Sequence, residues 1–252
     1  MAGVPAGLPA GVRLSDHISL GVIARAVPPE RVRQVLAETG KASERERDLP
    51  APLMVYYAIA LALYMGSSTR EVLRCLLEGL RCLLEGLRWL WGAEAVRVAG
   101  KSGISQARRR LGEAPLRRLY EGLVQPIATR ASKGAWYRDW RLVSLDGSCL
   151  EVADTAANRS EFGVPGASRG ASAFPQLRFA ALVENGTHVL FGARLGPYAQ
   201  GEITLAREVL AALRPGMLCL ADRQFFGYAL WRVAMDTGTN LSPEVRSYRL
   251  LT

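Results

Sequence analysis

Two short hydrophobic segments of this chain each end at an aspartate. Residues 142–145 are followed by Asp146, and residues 217–221 are followed by Asp222. Carboxylates at the ends of neighbouring strands can hold Mg²⁺, because hard cations prefer oxygen ligands, and a pair of such ions can bind both the attacking and the leaving oxygen of a phosphodiester. The two segments therefore predict a metal-dependent phosphoryl-transfer site.

Each aspartate also has a structural interpretation. Asp146 precedes Gly147 and could belong to a turn, and Asp222 could cap a helix. Alone, either residue would more often be structural, but two aspartates at predicted adjacent strand ends favour metal binding. Asp154 is a weaker candidate, because it precedes a loop rich in Gly, Ser and Ala at residues 155–173.

The segment that must position these aspartates has the pattern strand, strand, strand, helix, strand. The dipeptide Asn185-Gly186 is a strong hairpin signal between the second and third strands. Three strands form a meander, and a helical crossover then places the fourth strand parallel to a neighbouring strand. Such a crossover brings Asp146 and Asp222 close together. The predicted elements are strands at 142–145, 177–183 and 189–194, a helix at 203–213 and a strand at 217–221.

The first 130 residues have the pattern of an all-helical domain. Pro and Ser/Thr at helix starts and Gly at helix ends divide them into segments. The predicted helices run from Pro29 to Gly40, over 52–65, from Ser68 to about Trp91, over 103–111 with Ser102 as its cap, and from Pro115 to Gln125. The predicted fold class is α+β, with a helical domain at 1–130 and an α/β domain at 131–240.

Basic residues are concentrated in this helical part. Residues 1–130 contain 19 Lys/Arg against 12 Asp/Glu, and residues 97–118 contain seven cations and one anion, Glu113. The helix at 103–111 has its apolar face on Ile104, Ala107 and Leu111, which leaves its polar face free to contact DNA phosphates or base edges, although a solvated basic face is the simpler alternative. The DNA-binding candidates are Lys101, Gln106, Arg108, Arg109, Arg110, Arg117 and Arg118.

Bulk composition excludes several other classes of protein. With 252 residues, of which 49% are hydrophobic, the chain can bury a substantial core, and its net charge of +9 suits an anionic partner. The most apolar segment, 52–65, is shorter than a membrane span needs, and no secretory signal is present, so a cytoplasmic protein is expected. The two histidines, His17 and His188, lie far apart, which argues against a zinc site.

A seven-residue unit is repeated without change. Residues 74–80 have the sequence Arg-Cys-Leu-Leu-Glu-Gly-Leu, and residues 81–87 repeat it. A helix can absorb seven residues, because the insertion rotates the following face by only about 20°. A recent tandem duplication explains two identical units better than a coiled coil, which needs three or four.

At this point the chain resembles a known family, the DDE transposases of bacterial insertion sequences, of the insertion-sequence-four type. The likeness covers about residues 14–240 and includes Leu145-Asp146-Gly147, Gly201-Glu-Ile-Thr-Leu-Ala206 and Leu220-Ala-Asp-Arg-Gln-Phe-Phe226. The other matching motifs are 14–20, 52–65, 70–72, 85–90, 104–112, 154–155, 162–163 and 173–176.

The resemblance implies a ribonuclease-H-like catalytic domain behind a helical DNA-binding domain. Asp146 and Asp222 occupy the places of the first two acidic ligands of Mg²⁺ or Mn²⁺, and Arg223 follows the second as a DNA-binding residue. The implied partners are the terminal inverted repeats of the element, its target DNA and a second transposase molecule. Water and then a 3′-hydroxyl attack phosphodiesters in such enzymes, which would act at the bacterial nucleoid.

The chain departs from the family pattern in its last residues. Residues 241–252 look unrelated to the family, as a frameshift would produce, and the family's third carboxylate, a later glutamate, has no counterpart. Glu244 lies only 22 residues after Asp222 and is a poor substitute, because a strand and a helix do not fit between them. An incomplete, inactive α/β domain at 131–240 and an aberrant tail are therefore expected.

Three functional hypotheses remain open at the level of the sequence. The first is a transposase that binds inverted repeats but, without the third acid, has little strand-cleavage activity. The second is a non-catalytic DNA-binding remnant that inhibits the full-length transposase. The third is a decayed reading frame whose product does not fold stably.

Overall fold

The computed structural model describes residues 20–43, 49–64, 66–74, 76, 100–167, 170–171, 174–225 and 227–237. The chain divides into two compact units, one up to Leu123 and one from Val124 onward. The predicted domain boundary, residue 130, lies within the second unit. The observed mixture of helices and a separate sheet confirms the α+β class.

The described part of the first unit is helical, as the sequence predicted. Proline lies in the first turn of two of its helices, where its missing N–H costs nothing. Residues 69–74 are also helical. The other helices are α1 (Leu20–Ala26), α2 (Pro29–Glu38), α3 (Ala51–Leu63), α4 (Lys101–Leu111) and α5 (Ala114–Leu123).

The apolar helix predicted at 52–65 is α3, and it forms the centre of this unit's core. It starts one residue earlier than predicted and ends at Leu63. Its Tyr56 and Tyr57 are buried, and their hydroxyls donate to the main-chain oxygens of Val27 (2.7 Å) and Thr69 (3.0 Å). Burial chiefly raises the pKa of Tyr56 to about 12. In the described residues, none of the helices combines the length and the apolar character that crossing a membrane requires.

The described residues of the second unit form a five-stranded sheet. In it β2 (Trp140–Glu151) lies between β5 (Gln176–Glu184), which is antiparallel to it, and β7 (Met217–Ala221), which is parallel to it, and β6 (Leu190–Pro197) follows β5. This confirms the predicted meander with a crossover to a parallel neighbour. The strands are β1 (Trp136–Tyr137), β2 (Trp140–Glu151), β5 (Gln176–Glu184), β6 (Leu190–Pro197) and β7 (Met217–Ala221), and a separate small sheet pairs β3 (Gly166–Ala167) with β4 (Gly170–Ala171).

The first predicted strand and the predicted helix of this unit have different bounds in the structure. The strand predicted at 142–145 extends to Glu151, because residues 143–151 pair continuously with β5. The helix predicted at 203–213 is α7 (Glu202–Val209), which continues as a 3-10 turn over Leu210–Ala212.

The predicted loop at 155–173 is wrong in part, because it contains α6 (Ala156–Phe162) and the strands β3 and β4. Thr155 caps α6 by accepting a hydrogen bond from the Asn158 N–H (3.1 Å), a local signal that hydrophobic periodicity does not contain. The last helix of the described residues is α8 (Tyr228–Asp236).

The core of the second unit lies between one face of the sheet and α7. Val143 and Leu145 of β2 and Leu182 of β5 are buried against Leu205 and Val209 of α7. Successive side chains of a strand point to opposite faces. The side chains of β2 that alternate with Val143 and Leu145, including that of Asp146, therefore lie on the face away from α7.

A buried ion pair ties the entry segment of the second unit to its sheet. The carboxylate of Glu184 is 0% exposed and accepts hydrogen bonds from the main-chain N–H groups of Ile127 (2.9 Å) and Ala128 (2.9 Å), from the Thr187 hydroxyl and from the Arg141 guanidinium. Burial raises the pKa of Glu184, but these hydrogen bonds together hold it below its usual value. The network joins β2, β5 and residues 127–128.

Candidate functional site

Asp146 and Asp222 directly follow the last residue pair of the parallel strands. In the register of β2 and β7, Arg141 lies opposite Met217 and Leu145 lies opposite Ala221. The next residue on each strand is one of the two aspartates, and neighbouring strands lie about 4.8 Å apart. The fold therefore brings the two predicted carboxylates together.

The local setting of the two aspartates differs from the predicted one. Asp222 does follow the end of β7, but Asp146 lies within β2, which continues for five further residues. The prediction that Asp146 ends its strand is wrong. The prediction failed because Gly147 and the polar residues after it have the composition of a turn. In the structure they continue β2 and pair with residues 176–180 of β5.

Each carboxylate uses one oxygen for a main-chain hydrogen bond. The Asp146 Oδ1 accepts from the Gly147 N–H (2.8 Å), and the Asp222 Oδ1 accepts from the N–H groups of Gln224 (2.9 Å) and Phe225 (3.3 Å). Both side chains are exposed. Within the described part of the chain, the Oδ2 atom of each aspartate has no hydrogen-bond donor.

This pair fits a hard divalent cation in part. Mg²⁺ is usually held by one or two carboxylates together with water and substrate phosphates, and two exposed carboxylates with free oxygens match that set of donors. In the residues that the structure describes, no group of three His, Cys, Asp or Glu side chains could hold a metal ion. The described site thus offers two protein ligands.

Glu202, at the start of α7, lies near the residues that follow each aspartate, on the α7 side of the sheet, and was not among the predicted site residues. Its Oε2 accepts a hydrogen bond from the Gln224 Nε2 (3.0 Å), and Gln224 is the residue whose N–H binds Asp222. A Cβ atom at Gly147 would lie 3.4 Å from the carboxyl carbon of Glu202. Glu202 therefore contacts both segments that carry the aspartates. The motif Gly201-Glu202 was the available signal in the sequence.

The basic helix α4 has the predicted amphipathic character. Ile104, Ala107 and Leu111 are buried in the core of the first unit, as predicted. Its start differs, because the helix begins at Lys101 after Gly100, and no side chain caps it. Ser102 lies inside the first turn and is exposed, so its assignment as the cap is wrong.

The predicted DNA-binding residues fall into two groups by their ion pairs. Arg117 is paired with Glu113 (2.8 Å) and Arg118 with Glu38 (3.2 Å), so both are partly neutralised. The candidates on α4 are all exposed, and within the described ranges no carboxylate pairs with its cations. They are Lys101, Gln106, Arg108, Arg109 and Arg110.

The last predicted DNA-binding residue, Arg223, is on the second unit. It is exposed and opens the 3-10 turn Arg223–Phe225, directly after Asp222. A cation at this place adjoins the carboxylate pair. The repeat at 74–87, the tail at 241–252 and Glu244 lie outside the described residues, apart from Arg74 and Leu76.

Comparison with known proteins gives consistent likenesses. The family model described as insertion element 4 transposase N-terminal matches residues 17–121. The chain is 26% identical over 233 residues to "Putative transposase InsZ" of Escherichia coli (strain K12), an alignment that covers 90% of this chain and 73% of that protein.

A second relative extends the same likeness. The chain is 26% identical over 212 residues to "Transposase InsG for insertion sequence element IS4" of the same organism. That alignment covers 82% of this chain and 44% of that protein. No solved structure matches the chain.

Proposed function

We propose that this chain, which is similar to transposases of the insertion-sequence-four type, binds the terminal inverted repeats of a bacterial insertion element and takes part in metal-dependent DNA strand cleavage and transfer. Its place of action would be the cytoplasm, at the nucleoid. The observation that carries the proposal is the parallel register of β2 and β7, which sets Asp146 beside Asp222 in a chain with transposase relatives.

The two aspartates would act as metal ligands through their free Oδ2 atoms. The hydrogen bonds to their Oδ1 atoms fix each carboxylate on its own main chain and leave the second oxygen without a hydrogen-bond donor from the described residues. Mg²⁺ or Mn²⁺, when bound, would supply positive charge to the attacking and leaving oxygens of the phosphodiester. Arg223 would contact a neighbouring phosphate, since a guanidinium binds phosphate oxygens in a bidentate manner.

DNA binding would depend chiefly on α4. Its cations are exposed and have no acidic partner in the described part of the chain, so they are available to phosphates. Arg117 and Arg118 would contribute less, because each must give up an ion pair to bind DNA.

The test is a titration of purified protein with an inverted-repeat duplex and a scrambled duplex, with either Mg²⁺ or a chelator present, followed by a denaturing gel. We expect a preference for the inverted repeat and only a weak nick, because the predicted site has two acidic ligands and lacks a counterpart of the family's third carboxylate. That nick should require Mg²⁺ and disappear in Asp146→Asn and Asp222→Asn. Equal binding of both duplexes, or cleavage that both variants retain, would contradict the proposal.

A second candidate function is DNA binding without cleavage, in which the chain would occupy transposon ends and inhibit an active transposase. It is favoured by two observations: the described residues offer no third acidic ligand beside the carboxylate pair, and the exposed cations of α4 can bind phosphates without a metal ion. The same gel separates the two functions, since this one predicts specific binding with no nick. It also predicts that added chain lowers the activity of a complete transposase on the same ends.

A further inference from the structure

The exposed surface of α4 has an ordered arrangement of side chains. Successive residues of an α-helix are rotated by about 100°, so residues three, four and seven apart share a face. Opposite the buried face lie four polar residues with this spacing, and all of them are exposed. We call this set the central ridge, and it consists of Ser102, Ser105, Gln106 and Arg109.

Cations flank the central ridge on both sides. Lys101 and Arg108 project from the helix between the central ridge and one border of the buried face, and Arg110 projects at the other border. The helix contains no acidic residue. A short polar ridge between two cationic borders matches the major groove of DNA, in which base edges lie between two phosphate backbones.

We propose that α4 lies in the major groove of double-stranded DNA, with Gln106 and Arg109 reading base edges and Lys101, Arg108 and Arg110 binding the flanking phosphates. This inference rests on the proposed function and assigns separate roles within it. The helix has 11 residues and is therefore about 16 Å long, which suits a groove that admits one helix.

The chemistry of the two reading residues predicts what they recognise. A glutamine amide binds adenine N6 and N7, and a guanidinium binds guanine O6 and N7. Gln106 and Arg109 are three residues apart, which is about 4.5 Å along the helix axis and close to the 3.4 Å spacing of stacked bases. The preferred DNA sequence should therefore contain an adenine and a guanine at neighbouring positions.

The simplest alternative is that the three arginines only stabilise the helix. They lie in its last turn, where cations interact favourably with the helix dipole. That role would require no nucleic acid and no contribution from Gln106. Binding measurements can therefore separate it from base reading.

The experiment selects duplexes from a library with a random central segment, using the full chain, and then measures affinities at two salt concentrations. We expect Gln106→Ala and Arg109→Ala each to lose about 5- to 150-fold in preference for one base, with little change in binding to unselected DNA. Lys101→Ala, Arg108→Ala and Arg110→Ala should weaken binding to all sequences equally and lower the salt slope by about one each.

Arg33→Ala is the matched control, because Arg33 is an exposed cation of the same unit that is paired with Glu30 (3.2 Å) and lies on α2. It should change neither preference nor salt slope. If Gln106→Ala and Arg109→Ala both keep the base preference of the unaltered chain, this inference is overturned and the proposed function still stands. If the unaltered chain binds no duplex, the proposed function itself fails.

Discussion

Arg141 of β2 donates a hydrogen bond to the fully buried carboxylate of Glu184 at the end of β5. A charge with no access to water must be paired, and this one is also bound by two main-chain N–H groups and a hydroxyl. The pair therefore fixes the position of β2 relative to β5 and, with it, the strand that carries Asp146.

Glu184→Gln should destabilise the protein strongly. The amide removes the charge partner of Arg141 and places an NH2 group where donors converge, and breaking a buried pair in this way costs about 3–5 kcal/mol. Denaturant unfolding followed by circular dichroism measures the loss. Glu208→Gln is the control, because Glu208 is an exposed partner of Arg194 at 3.6 Å and its loss should cost less than about 1 kcal/mol. Equal losses would mean that the buried pair has no special role.

The same carboxylate predicts a pH dependence of stability. The pKa of Glu184 is lower in the folded protein than its ordinary value, so its contribution is present above the unfolded pKa of about 4.3 and is lost as the pH falls through the folded pKa. The difference in unfolding free energy between the unaltered protein and Glu184→Gln should be constant near neutral pH and shrink below about pH 4. A difference that does not vary with pH would show that the charge of Glu184 is not involved.

Two substitutions of Asp222 should separate its contribution to stability from its contribution to DNA cleavage. Asn keeps the oxygen that accepts from the Gln224 and Phe225 N–H groups, whereas Ala does not. We expect Asp222→Asn to retain stability and lose cleavage, and Asp222→Ala to lose cleavage and about 1 kcal/mol of stability. Thermal unfolding and the cleavage gel give the two readouts. Cleavage by Asp222→Asn would remove this carboxylate from the proposed metal site.

Glu202 should affect cleavage through Gln224 rather than through DNA binding. Glu202→Ala removes the acceptor of the 3.0 Å hydrogen bond and frees the segment that follows Asp222. Cleavage should slow while duplex affinity stays the same, and Glu202→Gln, which keeps a carbonyl acceptor, should restore part of the rate. A parallel fall in affinity would instead indicate a general disturbance of the fold.

Gly192 lies at an irregular register in β6 and cannot accept a side chain. It has φ of +62°, and a Cβ atom there would lie 2.6 Å from the Cβ of Ala212. Gly192→Ala should cost about 1–2 kcal/mol from the backbone and about 1–3 kcal/mol from overlap with Ala212. Gly166→Ala is the control, because nothing lies within 4 Å of a Cβ at that position. The denaturant midpoints of the two variants should differ clearly. Similar midpoints would show that the backbone of β6 at Gly192 can move to accept a methyl group.

Much of the site could be predicted because its signals are local. The buried face of α4 follows from the spacing of Ile104, Ala107 and Leu111, and the hairpin before β6 follows from Asn185-Gly186. The adjacency of Asp146 and Asp222 follows from the alternation of strands with a crossover helix. The metal-binding and DNA-binding roles of these residues stay predictions.

The sequence by itself determined most of the helical and strand segments, the basic surface of α4 and the order of the main strands, since hydrophobic periodicity and turn residues act over a few positions. Only the tertiary structure decided that β2 continues past Asp146, that Arg141 pairs with Glu184, and that Glu202 reaches Gln224. The residues of these pairs lie 43 and 22 positions apart in the chain. Such partners are chosen by register and packing between elements, which no local pattern encodes.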